Sequence, residues 1–255
     1  MTATVVILLS DKRSGSTWFE RELCKHRDVR HIHFTPHTYN ETHYWVKAAC
    51  ILPTATEDFS GGVRPDAYGS STAARKSLVK TIQGNAPDFV VPDDAEKLVF
   101  DGWDVLCKQF ARPVFFEKSP HHSHYWAALE LVLRWIEKTD YRVRIVGLVR
   151  NPMAVMYSAS QLFYTDPQPR QFGWAQANRN ILKMAQLLGS EQFKLVKYED
   201  LVQDPVKNFQ DICNFIGIVY QDQIGESVNA HSVFKWRDDQ AFDFQLDEIT
   251  RTTLP

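Results

Sequence analysis

The sequence predicts a three-layer α/β fold, in which helices cover both faces of a central parallel β-sheet. Continuous apolar runs, typical of strands that are buried on both faces, recur along the chain. Segments with helical spacing lie between and after these runs. Strands that alternate with helices build βαβ units, so the sheet is expected to be parallel. The 255 residues are enough for one domain with a substantial core.

Four apolar runs are the predicted strands. The first, VVILL at 5–9, is rich in β-branched residues, and similar runs lie at 113–118, 141–150 and 193–200. None of them approaches the ~20 apolar residues that cross a bilayer, and the first run lacks the basic start of a signal peptide. We therefore expect no membrane span.

Five segments have the spacing of helices: 93–110, 122–138, 153–164, 176–189 and 204–217. The last is well bounded, since Asp204 suits the cap, Pro205 the first turn and Gly217 the end. Residues 53–92 interrupt the alternation because they are rich in Gly, Pro, Asp and Ser. We predict a loop-rich insertion there, over the sheet edge of a single domain that spans 1–255.

The bulk composition excludes some classes of function. The formal net charge is −2, which argues against nucleic-acid binding through a broad basic face. The four cysteines lie singly, without a C-x-x-C pair, and this favours a reduced compartment. We therefore expect a cytoplasmic protein without a nucleic-acid partner, and nothing in the sequence indicates its oligomeric state.

The stretch KRSGSTW at 12–18 follows the first predicted strand and opens a helix. A loop in this place offers backbone N–H groups and the positive end of the helix dipole to an anion. Lys12 and Arg13 add positive charge; the alternative is an ordinary turn capped by Ser and Thr. A nucleotide-hydrolysing P-loop requires Lys directly after its second Gly, whereas Ser16 follows Gly15 here, so a kinase or ATPase is disfavoured.

The same stretch resembles the 5′-phosphosulfate-binding loop of sulfotransferases that use 3′-phosphoadenosine 5′-phosphosulfate (PAPS). The resemblance implies that the loop amides hold the phosphosulfate, that Arg13 lies near its bridging oxygen and that Trp18 stacks on adenine. Without the resemblance, Trp18 would be taken for a core aromatic residue. The implied cofactor-binding residues in this stretch are Lys12, Arg13, Ser14, Gly15, Ser16, Thr17 and Trp18.

A second motif lies in VGLVRNPMAVMYSAS, residues 146–160. Arg150 ends an apolar strand, Pro152 starts a helix, and Ser158 lies about two turns into that helix. An Arg beside a Ser makes a plausible phosphate clamp, although an ordinary salt bridge and a surface Ser would also explain them. The R-N-P-x5-S spacing resembles the 3′-phosphate-binding segment of the same sulfotransferases.

Later residues complete the nucleotide site that the resemblance implies. Tyr198, in KYEDLVQDP, corresponds to a residue near the adenine. Many members of the family close the 3′-phosphate pocket with a late basic segment. Lys235 or Arg237 in SVFKWRDD could fill this role here, or the stretch could be an amphipathic surface.

Sulfuryl transfer needs a base for the acceptor and a cation at the departing phosphate oxygen. Glu22 is the first candidate base, because helical spacing places it on an apolar stripe with Trp18 and His26, while Glu20 lies off that stripe. Burial there would raise the pKa of Glu22 toward that of a useful base. The alternative is a helix-surface pair of Glu22 with His26 or Lys25.

Lys118 ends an apolar strand in FFEKSPHHSH and should emerge at the same sheet edge as the loop. This strand end resembles that of glycan-type sulfotransferases, in which the Lys is functional. Phenol and steroid sulfotransferases carry their base two residues after this Lys, where Pro120 stands here. His121 is therefore the second candidate base, and Glu41, by a loose resemblance to tyrosylprotein sulfotransferases, is the third.

Six of the nine histidines lie in two short stretches, 31–37 and 121–124. No H-E-x-x-H or cysteine–histidine spacing of a zinc site accompanies them. Sulfuryl transfer needs no metal, and we expect none.

The chain is identified as a member of the PAPS-dependent sulfotransferases, nearest in motif to the glycan-type enzymes. The resemblance implies a P-loop-NTPase-like sulfotransferase fold, with the insertion at 53–92 on the acceptor side. It also implies transfer from PAPS to a hydroxyl, on a carbohydrate or glycolipid, with 3′-phosphoadenosine 5′-phosphate (PAP) as product. The alternatives are transfer to a small phenol, alcohol or tyrosyl peptide, or a non-catalytic PAP-binding protein.

Overall fold

A computed structural model describes residues 3–54, 70–226, 235–239 and 241–254 of the chain. Its centre is a five-stranded parallel sheet with the order β2-β3-β1-β4-β5. The strands are β1 (Thr4–Ser10), β2 (Val29–Arg30), β3 (Val114–Lys118), β4 (Arg142–Val149) and β5 (Phe193–Lys197).

The helices lie on both faces of the sheet. They are α1 (Ser16–Leu23), α2 (Tyr44–Ile51), α3 (Ser71–Asn85), α4 (Ala95–Phe110), α5 (Trp126–Ile136), α6 (Pro152–Phe163), α7 (Pro167–Gln192), α8 (Tyr198–Gln203), α9 (Pro205–Ile216), α10 (Lys235–Asp238) and α11 (Glu248–Arg251). None of these described helices is long and apolar enough to cross a membrane.

Alternate residues of β1 divide the core into two layers. Val5 and Ile7 pack in the cluster formed with α2, α3, α4 and α5, whereas Val6 and Leu8 pack with α1, α8 and α9. This period of two is the side-chain alternation of a strand, and all four side chains are completely buried. The predicted three-layer α/β fold is therefore confirmed.

The register brings the carboxyl ends of the central strands to one edge of the sheet. Leu8 of β1 lies opposite Lys118 of β3 on one side and Val146 of β4 on the other. The chain passes from β1 to β2 and β3 on one side and later to β4 and β5 on the other. The end of β1 is thus a topological switch point, where open α/β sheets bind ligands.

Several predicted boundaries are corrected. The strand predicted over 193–200 ends at Lys197, and the helix predicted over 176–189 begins already at Pro167. The side chain of Asp166 caps that early start by accepting a hydrogen bond from the N–H of Gln168. The helix predicted over 122–138 divides into a 3₁₀ turn, Pro120–His124, and α5.

The loop-rich insertion predicted over 53–92 is corrected in its second half. Residues 71–85 form α3, whose cap is Ser70, since its hydroxyl accepts a hydrogen bond from the N–H of Ala73. The buried face of α3 includes Leu78 and Ile82, which belong to the core. The part of the insertion at 55–69 lies outside the described residues.

Candidate active site

The loop between β1 and α1 has the backbone of an anion-binding turn. Gly15 adopts a φ of 93° and is the N-cap of α1, so no side chain caps the first turn of that helix. A Cβ atom at Gly15 would lie 2.2 Å from the ring of Tyr198, which leaves room for glycine alone. The backbone amides of Ser16 and Thr17, at the start of α1, therefore have no side-chain cap, as at a helix N-terminus that binds an anion.

The predicted phosphate-binding side chains meet beside this loop. Nε of Arg13 donates to Oγ of Ser158 at 3.0 Å, and Nη1 of Arg150 donates to the carbonyl oxygen of Arg13 at 2.8 Å. The Arg150 guanidinium lies 4.5 Å from the ring centre of Tyr198. Nε of Arg150 is buried and has no hydrogen-bond partner within the described part of the chain. Such a buried donor marks a place for a ligand acceptor.

These groups border a cavity of about 490 Å³ at the sheet edge. Its lining includes Arg13, Gly15, Ser16, Thr17, Trp18, Arg150, Ser158 and Tyr198. The rings of Trp18 and Tyr198 meet edge to face, with centres 5.9 Å apart. The cavity therefore combines phosphate-binding groups with two aromatic rings suited to a nucleobase.

The Arg13 side chain contacts helix α6, and its predicted place near the bridging oxygen stays a prediction. Its guanidinium hydrogen-bonds Ser158 and lies 5.5 Å from the ring centre of Phe163 in α6. Burial lowers the pKa of Arg13 from its usual value. A second cation, Lys118, lies beside Thr17 of the loop.

Lys118 emerges at the end of β3, as predicted, and is almost completely buried. Its ammonium donates to the carbonyl oxygen of Tyr39 at 2.9 Å and lies 3.5 Å from the hydroxyl of Thr17 in the loop. Two carboxylates share the same ammonium, Glu41 at 3.3 Å and Glu20 at 3.4 Å. Lys118 therefore connects the phosphate loop to an acidic pair.

Glu22 is buried, as its place on the apolar stripe predicts, and it forms the predicted alternative pair with Lys25; its role as a base stays a prediction. Oε2 of Glu22 accepts from the N–H of Gly225 and from the ammonium of Lys25, both at 2.7 Å. Glu20, expected off the buried stripe, is equally buried and contacts Lys118. Burial raises the pKa of Glu20, against the opposing charge of Lys118. Helix α1 is buried on two sides: Glu20 lies on the side of Lys118, and Glu22 lies on the side of Gly225.

Glu41 and His121, the other predicted bases, belong to one cluster with two further histidines. Oε2 of Glu41 lies 2.8 Å from Nε2 of His43 and 3.7 Å from Nδ1 of His121. The His43 ring lies between those of His37 and His121, at centre distances of 4.2 and 4.0 Å. His43 was not predicted, because no periodic pattern connects it to Glu41 or to the other histidines of the cluster.

The charge states of this cluster follow from burial and from Glu41. Burial opposes ionisation of Glu41, but His121, His43 and Lys118 outweigh it and hold its pKa well below the usual range. Burial lowers the pKa of His43 to about 3 and also lowers that of His121, although Glu41 opposes both shifts. At neutral pH the cluster therefore holds one carboxylate and neutral imidazoles.

Backbone strain is concentrated at this edge of the sheet. Among the described residues, the non-glycine residues with a positive φ are Arg13, Tyr39, Asn40, His43 and Tyr164. The first four lie in or beside the clusters around Ser158 and Lys118, and Tyr164 follows the Phe163 ring that packs on Arg13. Residues with strained backbone conformations are concentrated at functional sites.

Buried hydrogen bonds hold the strained segment in place. The N–H of His43 donates to Oγ of Ser119 at 2.9 Å, and the hydroxyls of Thr42 and Ser119 donate to Oε1 of Glu117, each at 2.6 Å. Burial raises the pKa of Glu117 to about 7. The segment that carries Glu41 and His43 is thus fixed to the end of β3.

The loop itself is fixed by a group that the sequence did not indicate. Asp11 is completely buried at the start of the loop and pairs with Arg170 of α7 and with His124. Arg170 also donates to the carbonyl oxygen of Lys12 at 3.0 Å. The Lys12 side chain itself is exposed.

The C-terminal candidates are only partly described. The side chain of Lys235 lies outside the described residues, and Arg237 is exposed on α10. Helix α10 contacts α6, the helix that carries Ser158. The prediction that this segment closes the phosphate pocket stays a prediction.

The fold and these residues can be compared with known proteins. The sequence model of the sulfotransferase family matches residues 6–222. The chain belongs to this family. No curated protein matches this sulfotransferase significantly.

Solved structures share the fold of this sulfotransferase. A sulfotransferase domain from the Synechococcus PCC 7002 olefin synthase is 20% identical, with a TM-score of 0.66 over 98% of this chain and 92% of that one. A sulfotransferase domain from the curacin biosynthetic pathway is 18% identical, with a TM-score of 0.61 over 99% and 96%. A sulfotransferase from Alicyclobacillus acidocaldarius is 16% identical, with a TM-score of 0.50 over 96% and 87%. At these identities the similarity establishes the fold.

Proposed function

We propose that this sulfotransferase transfers a sulfuryl group from PAPS to an acceptor hydroxyl and releases PAP. One observation carries the proposal: the uncapped amides of α1 and the buried, unpartnered Nε of Arg150 border one cavity together with Ser158. Two phosphate-binding positions in one cavity suit a nucleotide with phosphates at both its 5′ and 3′ positions.

Each part of the nucleotide has residues of matching chemistry. The loop amides from Gly15 to Thr17 would hold the 5′-phosphosulfate, while Arg150 and Ser158 would hold the 3′-phosphate; the Ser14 amide donates to the carbonyl oxygen of Asp11 instead. The rings of Trp18 and Tyr198 border the same cavity and would contact the adenine. Because Arg13 hydrogen-bonds Ser158, we assign it to phosphate binding rather than to the bridging oxygen.

The transfer step uses the other end of the site. The acceptor oxygen attacks sulfur in line, the bond from sulfur to the bridging phosphate oxygen breaks, and that oxygen takes the electron pair. Lys118, 3.5 Å from Thr17 in the loop, is placed to stabilise the new negative charge. His121 takes the hydroxyl proton on its imidazole, whose Nδ1 lies 3.7 Å from Oε2 of Glu41. Glu41 stabilises the imidazolium that forms.

A hydroxyl on a carbohydrate or glycolipid is the proposed acceptor, on the resemblance of the strand end at Lys118 to glycan-type enzymes. A small phenol or alcohol is the second candidate. Tyr39 and Phe163 are exposed at 60% and 56%, and Phe163 packs on Arg13 at the rim of the nucleotide site. Such rings suit the apolar face of an aromatic acceptor. The cytoplasm is the proposed compartment, because the four cysteines lie singly along the sequence, without a C-x-x-C pair.

Calorimetry with PAP, ADP and AMP tests the nucleotide site. We expect micromolar or tighter PAP binding, with ADP at least about tenfold weaker because it lacks the 3′-phosphate. Arg150→Ala should weaken PAP binding at least about tenfold and reduce the preference over ADP. Arg134→Ala, which removes a partly exposed guanidinium paired with Glu96, is the matched control and should bind PAP normally. Equal binding of PAP and ADP would contradict the proposal.

Transfer itself is measured separately, with radiolabelled PAPS and a panel of sugars, phenols and alcohols. Labelled product with at least one hydroxyl acceptor is expected. Tight PAP binding without transfer to any acceptor would favour a non-catalytic PAP-binding protein.

A further inference from the structure

Glu41, His43 and His121 bring together more potential metal ligands than proton transfer requires. One ligand atom from each of the three lies within 4.8 Å of the other two. A third imidazole, that of His37, stacks on His43. Two nitrogen ligands and one carboxylate oxygen around a common point are a typical set for a transition-metal ion.

We propose that Glu41, His43 and His121 bind one transition-metal dication of the Zn²⁺ type, and that the bound ion switches off sulfuryl transfer. This site departs from the expectation, drawn from the sequence, of a protein without metal. That expectation rested on the absence of a known histidine spacing, whereas the three ligands come from two segments that only the fold brings together.

The positions of the donor atoms favour a metal over a simple ion pair. Nδ1 of His121 is buried and lies 3.7 Å from Oε2 of Glu41, beyond hydrogen-bond distance, and no other described group hydrogen-bonds it. An imidazole nitrogen with a buried lone pair has no water to replace a missing partner. A cation between Nδ1 and Oε2 would satisfy both atoms, at ligand distances of about 2 Å.

Hydrogen bonds to residues outside the ligand set also fix the ligands. The N–H of His43 is fixed by Ser119, which is itself bound to the buried Glu117. Metal sites depend on such outer hydrogen bonds for the orientation of their ligands. The positive φ of His43, 49°, is a conformation that this support maintains.

The ion pair with Lys118 does not prevent Glu41 from binding a metal ion. Its ammonium has a second carboxylate, Glu20, at 3.4 Å, and the carbonyl oxygen of Tyr39 at 2.9 Å. Oε1 of Glu41 lies toward Lys118, whereas Oε2 lies toward the imidazoles. The ion would therefore take Oε2, while Lys118 keeps Glu20.

The ligand set selects the kind of ion. Two imidazole nitrogens and one oxygen suit Zn²⁺ or Co²⁺, whereas Mg²⁺ and Ca²⁺ require oxygen ligands. Inhibition follows because an imidazole that binds the metal through Nδ1 and carries a proton on its other nitrogen cannot take the acceptor proton. This consequence rests on the proposed function, whereas metal binding does not.

Titration of the chelator-treated full-length protein with Co²⁺ tests the site by visible absorption. We expect one equivalent to bind and to give the intense bands of a four-coordinate nitrogen–oxygen site. His43→Ala and Glu41→Gln should lose these bands and weaken Zn²⁺ binding, measured by competition, at least about tenfold. His33→Ala removes an exposed imidazole of a neighbouring segment and is the matched control, with unchanged bands expected.

Circular dichroism of the apoproteins shows whether a variant is folded, and Glu41→Gln keeps the proposal testable if His43→Ala does not fold. Wild type without the bands, or His33→Ala losing them as fully as His43→Ala, would overturn the site. Zn²⁺ should also abolish transfer by wild type, with recovery after addition of a chelator. Co²⁺ bands together with full activity in Zn²⁺ would overturn the inhibition while leaving the site in place. Absence of any transferase activity would overturn the proposed function, and the bands would still decide the metal site.

Discussion

The two halves of the candidate site are built in different ways. The nucleotide half consists of two short sequence motifs, each at the end of a strand, where a loop enters a helix. The acceptor half is built around Lys118, whose contacts with Glu41 and Thr17 join residues 77 and 101 positions apart. The first half presents backbone amides and cations, and the second presents carboxylates and imidazoles.

This difference separates two kinds of variant. Changes in the nucleotide half should alter affinity for PAP and the KM for PAPS. Changes in the acceptor half should alter kcat and leave PAP affinity intact. A variant that violates this division would show that the halves are coupled through Lys118 and the loop.

The largest effect on turnover is expected at His121. Replacement by alanine removes the group that takes the acceptor proton, and kcat should fall by about 10²–10⁴. Calorimetry should give PAP affinity within about twofold of wild type, since no described contact joins His121 to the nucleotide cavity. Unchanged kcat in His121→Ala would transfer the role of base to Glu41 or Glu20.

The next effect is expected at Lys118. In Lys118→Met the charge that stabilises the departing phosphate oxygen is lost, and kcat should fall by about 10²–10³. Thermal unfolding should also shift downward, because Glu20 and Glu41 lose their shared partner. Lys80→Met, at an exposed position of α3, is the control that should change neither value. A loss in KM for PAPS alone would place Lys118 in the nucleotide half.

The fold and the nucleotide half could be predicted because their signals are local. Buried strands are continuous apolar runs in the sequence. The predicted phosphate-binding residues Gly15, Arg150 and Ser158 each follow a strand end by a short, recognisable number of residues. Helix α3 escaped prediction because its flanking residues are rich in turn formers, although Ser70 is a good cap. Pro167, Pro169 and Gly173 similarly hid the first turns of α7.

The acceptor half could be predicted only in part. Lys118 was found from its strand, but the choice between Glu20 and Glu22 could not be made from periodicity. The periodicity argument assumes that only one face of α1 is buried. In the structure, Glu22 is buried near Gly225 and Glu20 is buried near Lys118. His43 was missed because its place depends on a left-handed backbone and on a hydroxyl of Ser119.

A smaller effect, on the nucleotide half, is expected at Arg170. This residue positions the loop, since it pairs with the buried Asp11 and with the carbonyl oxygen of Lys12. In Arg170→Ala, KM for PAPS and the Kd for PAP should each rise about tenfold, with kcat at saturating PAPS within about twofold. Arg170→Lys should restore part of the affinity by keeping the charge beside Asp11. A fall in kcat without a change in PAP affinity would contradict this positioning role.

The smallest effect on turnover is expected at Glu22, although it is almost completely buried. Its carboxylate accepts from the N–H of Gly225 and from Lys25, so Glu22→Gln should lower the free energy of unfolding by about 1–3 kcal/mol. The kcat per folded molecule should stay within about twofold. Glu20→Gln, on the same helix, is the matched variant and should lower kcat at least about tenfold, because Lys118 loses a carboxylate that orients it. Chemical denaturation and steady-state kinetics of both variants separate the two positions. If Glu22→Gln instead lost activity while remaining folded, the buried stripe of α1 would carry the base after all, and the acceptor half would extend to the other side of the helix.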